Sequence, residues 1–233
     1  MSGRRRDLGS LFLFDDRRHA GSVLAGALEP EAGEDAVVVG LARGGIVVAA
    51  VVARALGLPL EIVAVRKVRH PLQPEYALGA VAPGGQAYVR ERDGLTDHQF
   101  AVAVAAARAE AEALDRTLRD GRPQASLAGR AVLLVDDGLA TGATMIAATR
   151  WANGRGARRV VAAAPVGARE TVDLLRRAAD EVVCPYPVDN LVAVGLWYAD
   201  FAQVNDEDVA ELIGANGATA SPAETRRPAG SAR

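Results

Sequence analysis

Five short apolar runs punctuate the chain: Ala36 to Ala42 (AVVVGLA), Leu60 to Val65 (LEIVAV), Arg130 to Val135, Arg159 to Pro165 (RVVAAAP) and Glu181 to Cys184. Each is too short for a helix, rich in valine or alanine and bounded by charged residues, glycine or proline, the pattern of strands buried on both faces. The stretches between them have helical spacing. Gly44 to Leu56 carries Ile46, Val47, Ala50 and Val51 at compatible intervals and stops at Gly57 and Pro59. Thr96 with Gln99 forms a capping-box pattern ahead of an alanine-rich run to Arg119. Thr141 to Asn153 is followed by Gly154 and Gly156, and Glu170 to Ala179 places Val172, Leu175 and Ala179 on one face. Strands alternating with helices predict an α/β fold: an open, mostly parallel sheet with helices on both faces and right-handed crossovers.

The pattern breaks in three places. After the second run, RKVRHPLQPEYALGAVAPGG reads as a long loop with at most a short hairpin, and Gln86 to Arg90 as a brief strand. Tyr186 to Asp200 is short, aromatic and irregular, and Asn205 to Ile213 forms a small helix. From Gly214 onward there is no aromatic or branched aliphatic residue, so that stretch lacks the means to order itself. The expected layout is an N-terminal segment 1–35, an α/β core 36–185 with a mobile lid at 66–85, a segment 186–213 that joins residues 1–35 in a small hood, and a disordered tail 214–233.

Composition narrows the class. The chain has 233 residues, half of them apolar and 24% charged, with a net charge of -2. That suits a globular protein and argues against a broad basic nucleic-acid face. No apolar stretch is long enough to span a bilayer, and Asp15-Asp16-Arg17-Arg18 cuts short the N-terminal LFLF run. With Cys184 as the only cysteine, no internal disulfide is possible, and a cytoplasmic location is expected. Lys67 is the only lysine in a chain whose other basic residues are all arginine, which draws attention to it.

The chemistry concentrates at Val132 to Thr144, VLLVDDGLATGAT. Two adjacent carboxylates repel, so Asp136 and Asp137 need a partner at the end of a buried strand. In an open parallel sheet ligands bind beyond the carboxyl ends of the strands, where this pair sits. The turn that follows leads into a helix N-terminus, whose N–H groups favour phosphate. Gly142 permits close backbone approach, and Thr141 and Thr144 offer hydroxyls. Acids for vicinal hydroxyls beside a phosphate cradle describe a ribose 5-phosphate. The bland alternative is a strand-ending turn with Thr141 as helix cap. The chain has no Gly-Lys for a Walker A loop, and GLARGG (Gly40 to Gly45) lacks the dinucleotide spacing.

VLLVDDGLATGAT resembles the phosphoribosyl-pyrophosphate (PRPP) signature of the type I phosphoribosyltransferases, and the similarity spans Ala36 to Cys184. The resemblance implies a Rossmann-like fold in which Asp136 and Asp137 hold the ribose hydroxyls. It implies further that Gly138, Leu139, Ala140, Thr141, Gly142, Ala143 and Thr144 cradle the 5-phosphate. GLARGG falls where that family has its pyrophosphate loop (Ala42, Arg43, Gly44), often with a non-proline cis peptide. There Arg43 would meet pyrophosphate and Gly44 would relieve strain. RKVRHP with PEYALGA is similar to the lid of adenine-type members. On that likeness Lys67 contacts pyrophosphate, Glu75 and Tyr76 close over the reaction, and Arg66 is a further lid residue. Glu75 is the leading candidate acid/base group, and equally a solvated loop carboxylate. Hypoxanthine–guanine-type members carry Asp before the Thr-Gly; Ala140 stands there in this chain, which disfavours that assignment.

The expected activity is therefore Mg2+-dependent transfer of phosphoribosyl from PRPP to a nitrogenous, purine-like base with release of pyrophosphate. Mg2+ would be held mainly by PRPP oxygens. Lys67 and Arg43 join Glu75 as the catalytic set, and the resemblance also implies a homodimer. Trp197, Tyr198 and Phe201 could stack on the base, or equally form the core of the hood. His19, His70 and His98 read as structural or surface residues. The alternative is a PRPP-binding regulator without transferase activity, kept open by Arg4, Arg5 and Arg6.

Overall fold

The computed structural model describes residues 12–33 and 35–217. Five parallel strands form the central sheet: β1 (Val37–Ala42), β2 (Leu60–Ala64), β6 (Ala131–Val135), β7 (Arg159–Ala163) and β9 (Glu181–Val183), in the order β2-β1-β6-β7-β9. These are the five apolar runs, each trimmed at its ends. Alternate side chains serve opposite faces. Val37, Val39, Val132, Leu134 and Val160 pack with Met145 and Trp151 of α4 (Ala143–Gly154). Val38, Leu133, Val135 and Val161 pack with Val48 and Val52 of α2 (Gly44–Leu56), and with Leu24 and Leu28 of α1 (Arg17–Leu28).

Helix α1 differs from the sequence expectation, which assigned the whole N-terminal segment to the hood. Most of it is a core layer laid on α2, a placement fixed by packing. Leu13 to Asp15 join the later segment through the backbone, and Arg17 and Ala20 of α1 touch it with their side chains. There Leu13 and Phe14 donate to the Trp197 carbonyl, and Ala199 and Asp200 donate back to Phe14 and Asp15. Phe14, Tyr198 and Val166 share a small cluster. Arg4, Arg5 and Arg6 lie outside the described residues.

The stretch read as a long loop is largely an antiparallel sheet of β3 (Arg66–His70), β4 (Gln73–Val81) and β5 (Tyr88–Val89). Val68, Leu78 and Val81 pack on Phe100 and Ala107 of α3 (Asp97–Arg119). The prolines mask these strands in the sequence. Pro71 lies in the β3–β4 turn, and Pro74 to Tyr76 bulge out of the ladder between the Arg69↔Ala77 and His70↔Gln73 pairs. A missing N–H costs no ladder bond at either place.

The capping box at Thr96 and Gln99 is present at the start of α3. Arg119 near its end pairs with the buried Glu61 of β2 at 2.7 Å. Two short strands escaped sequence reading: β8 (Val166–Ala168) and β10 (Tyr186–Val188), which pair in parallel. Between them, α5 (Arg169–Leu175) is shorter than the periodicity suggested. Helix α6 (Asp206–Gly217) continues through residues that composition assigned to the tail. It buries Val209 and Ile213 against Ile46, Ile62, Leu114 and Leu118, so neighbours supply the order that its last turn lacks intrinsically. Residues 218–233 lie outside the described residues. No described helix is long and apolar enough to cross a membrane.

Candidate functional site

Strand order determines where a ligand can enter. From β1 the chain crosses to β2 on one side, and from β6 to β7 on the other, so a crevice opens between the carboxyl ends of β1 and β6. The loop after β1 brings Ala42, Arg43 and Gly44 to it, and the loop after β6 brings Asp136 to Gly142. Helices α2 and α4 both begin here, with their positive N-terminal ends at the crevice.

Asp136 and Asp137 stand together at the tip of β6. The Asp137 N–H donates to Asp136 Oδ1 at 2.9 Å, which shapes the pair without removing its charge. Burial, then the neighbouring Asp137, raises Asp136 well above the ordinary carboxylate range. Asp137 is raised by burial, while Arg17 opposes the rise with an ion pair from Nε to Oδ2 at 2.8 Å. Arg17 is therefore the cation that the adjacent acids required. No signal in the sequence identifies it, because the partners are 120 residues apart.

The raised acid has a thermodynamic consequence. In the unfolded chain Asp136 ionises near 3.8, and in the folded chain at higher pH, so its ionisation opposes folding. The penalty is absent below that ordinary value and grows as pH rises toward the folded-state value. Asp136→Asn, whose Oδ1 can still accept from Asp137, should raise the melting temperature of the ligand-free protein at pH 7. The expected gain is on the order of 2–4 °C per kcal/mol of relieved penalty for a chain of this size. The gain should vanish near pH 4 in a thermal melt series; an equal gain at both pH values contradicts the electrostatic reading.

The turn after the acids is held from outside. Leu139 exchanges backbone hydrogen bonds with Val166 and Ala168, and Thr171 donates its hydroxyl to the Ala140 carbonyl at 2.6 Å. Gly142 caps α4 with φ +74°, a left-handed conformation that suits glycine, and the helix starts at Ala143 rather than Thr141. Among the described residues, no hydrogen bond uses the N–H groups of Ala140, Thr141 or Gly142, or the hydroxyls of Thr141 and Thr144. Those open donors face the start of a helix, an arrangement suited to an anion.

The Ala42–Arg43 peptide is cis. Gly44 follows under the Asp137 carboxylate; a Cβ there would lie 2.0 Å from Oδ2. Arg43 turns toward α6, with its Nε 2.5 Å from Asp206 Oδ1. Of the two cations that begin β3, Arg66 lies within electrostatic reach of Arg43 and Asp206, and burial followed by Arg43 lowers its guanidinium from the usual value. Lys67 instead lines a groove of about 300 Å³ with Val102, Ala106 and Glu110 of α3. Neighbouring side chains of β3 thus go different ways, Lys67 to the α3 groove and Arg66 to the surroundings of Arg43.

Glu75 and Tyr76 occupy the bulge near the start of β4. Tyr76 donates to Glu91, and Arg90 lies 5.8 Å from its ring centre. Among the described residues no hydrogen bond or ion pair joins Glu75 to the twin acids. Trp197 is half-buried, whereas Tyr198 is only 2% exposed. The Tyr198 ring is enclosed by Phe14 and Phe201 at 5.2 and 5.0 Å, so of the two readings open for it the structure shows hood core and not a stacking surface. Its hydroxyl donates to the Asp137 carbonyl at 2.6 Å, tying the hood to the tip of β6. Val194 lies over Gly138 in the same way. Burial pushes the Cys184 thiol up to about 11, which makes it a poor nucleophile.

Comparison with known proteins is consistent with this geometry. The sequence model of the "Phosphoribosyl transferase domain" family matches residues 19–198. Two Mycobacterium tuberculosis proteins, from strains CDC 1551 and H37Rv, carry provisional phosphoribosyl transferase names. Each is 40% identical to this chain over 205 residues, covering 86% of it and 46% of the relative. The chain thus spans about half the length of the curated relatives it matches. The crystal structure of the Thermus thermophilus protein TT1426 is 45% identical, with a TM-score of 0.75, and the match covers 86% of this chain and 97% of that one.

Proposed function

Because the chain belongs to the phosphoribosyl transferase domain family, we propose that it transfers a phosphoribosyl group from PRPP to a nitrogenous, purine-like base and releases pyrophosphate. The observation that carries this reading is the pairing of twin acids with a turn in which, among the described residues, the N–H groups of Ala140 to Gly142 and the hydroxyls of Thr141 and Thr144 have no hydrogen-bond partner. Asp136 and Asp137 accept hydrogen bonds from the two ribose hydroxyls. Residues Gly138 to Thr144 receive the 5-phosphate, aided by the α4 N-terminus, which contributes roughly 0.3–1 kcal/mol per anionic charge. Arg43 and Arg66 stand where the leaving pyrophosphate would emerge, with Arg43 exchanging Asp206 for phosphate oxygens.

The residues present suit a divalent cation that arrives with its substrate. Among the described residues no group of three or more acidic, His or Cys side chains forms a cage. The twin acids nevertheless bring excess negative charge beside the place where ribose and pyrophosphate oxygens would lie. When bound, Mg2+ supplies charge neutralisation on the departing pyrophosphate. The chain's own work is positioning and stabilisation of charge, as expected for a transition state resembling a ribosyl oxocarbenium ion. Glu75 and Tyr76 on the lid bulge act only after the lid moves over the crevice, excluding the water that would hydrolyse the substrate. Trp197 and the exposed Leu196 remain as hood residues that could contact the base. Cytoplasmic location and a homodimer complete the proposal.

Pyrophosphate release measured with PRPP, Mg2+ and a panel of purine and pyrimidine bases tests this reading. Release that requires all three components supports it. Tight PRPP binding with no release for any base would make the protein a PRPP-dependent regulator. Absence of PRPP binding rejects the site itself.

A further inference from the structure

Arg17 is the point at which three parts of the molecule meet. It projects from the first turn of α1, and its Nε bonds Asp137 Oδ2 at 2.8 Å. Its Nη1 donates to the Ala202 carbonyl at 2.8 Å, and its guanidinium carbon lies 3.7 Å from the centre of the Phe201 ring. The side chain is largely buried, with 11% exposure. A surface arginine that pairs with one acid contributes little. This one is held on three sides by groups belonging to the site and the hood, and its planar fork satisfies each in a fixed direction.

We propose that Arg17 is a positioning residue for phosphoribosyl transfer: it holds the Asp137 carboxylate charged and aimed at the ribose, and couples that carboxylate to the hood through Phe201 and Ala202. The inference rests on the reading of Asp136 and Asp137 as ribose ligands. An ionised carboxylate only accepts, so it can serve a hydroxyl donor with its second oxygen while Arg17 occupies the first. A protonated one offers a donor where an acceptor is needed.

The groups facing Asp137 are few. Asp136 repels it from β6, the start of α2 at Gly44 packs beneath it, and Tyr198 donates to its carbonyl. Beyond Arg17 lies a cleft of about 310 Å³, whose charged lining is Asp16, Arg18, Asp200, Asp208 and Glu211. Arg17 is the one cation paired directly with Asp137 among the described residues. Burial raises Asp137 and Arg17 opposes it, so removing Arg17 moves its ionisation to higher pH.

The test is PRPP–Mg2+ binding by titration calorimetry between pH 6 and 8, with each variant expressed as a ratio to wild type at the same pH. Arg17→Gln should bind roughly tenfold or more weakly at pH 6, with a smaller deficit at pH 8. Arg17→Lys, which keeps the charge, should recover most of the loss at pH 6. A deficit independent of pH, or Lys and Gln variants that behave alike, overturns the inference, because a purely structural role gives that result. If Arg17→Gln does not fold, Phe201→Ala carries the test. It frees the guanidinium from its stack and should weaken binding several-fold at pH 6 and less at pH 8, whereas an unchanged ratio counts against the proposal. Wild type that fails to bind PRPP at any pH rejects the underlying site assignment instead.

Discussion

Replacing both acids, Asp136→Asn with Asp137→Asn, should weaken PRPP binding by roughly 10²–10⁴-fold while the protein stays folded. Each carboxylate is expected to accept a charge-assisted hydrogen bond from a ribose hydroxyl, worth about 1.5–3 kcal/mol, and tenfold in affinity corresponds to about 1.4 kcal/mol. The asparagines keep the shape but offer a weaker neutral acceptor, and the Asp137 change also leaves Arg17 without its anion. Calorimetry with PRPP and Mg2+ measures the loss directly. Affinity within a few-fold of wild type would remove these residues from the ribose site.

Gly44→Ala should be nearly as damaging by a steric route. The added methyl would lie 2.0 Å from Asp137 Oδ2 and 2.9 Å from its Cγ, so the carboxylate or the loop after β1 must move. Displacing a substrate-positioning group by about 1 Å can cost 10²-fold in rate. The expected result is a loss of that order in the initial rate of pyrophosphate release, with a stability cost of only about 1–3 kcal/mol because the site opens to the crevice. A thermal melt run beside the rate assay separates the two effects. Normal turnover would mean that Asp137 tolerates displacement, and hence that its position matters little.

Much of this architecture is written locally in the chain. The five apolar runs are the five core strands because a strand buried on both faces needs no alternation to be recognised. The α3 capping box is legible because its partners are three residues apart. The Asp-Asp-Gly turn is legible for the same reason, since both acids, Gly142 and the start of α4 fall in one continuous segment. What escaped depends on distant partners. Pro74 reads as a loop residue until the Arg69↔Ala77 pairing places it in a bulge. Tyr198 reads equally as a stacking ring or as hood core until Phe14, from the other end of the chain, closes over it. The last turn of α6 has no branched aliphatic or aromatic residue of its own, and Val209 and Ile213, buried earlier in the helix, anchor it. Lys67, conspicuous as the only lysine, lies in the α3 groove while its neighbour Arg66 points another way, because the alternation of β3 is visible only once its pairing with β4 is known.

The central claim is that the tip of β6 and the turn into α4 grip a phosphorylated pentose. A crystal of the full chain soaked with PRPP and Mg2+ tests it most directly. The 5-phosphate should lie within hydrogen-bond distance of the N–H groups of Ala140 to Gly142 and the Thr141 and Thr144 hydroxyls, with the ribose hydroxyls on Asp136 and Asp137. Sugar phosphate bound elsewhere, with that turn empty and both acids still facing away from it, would refute the assignment.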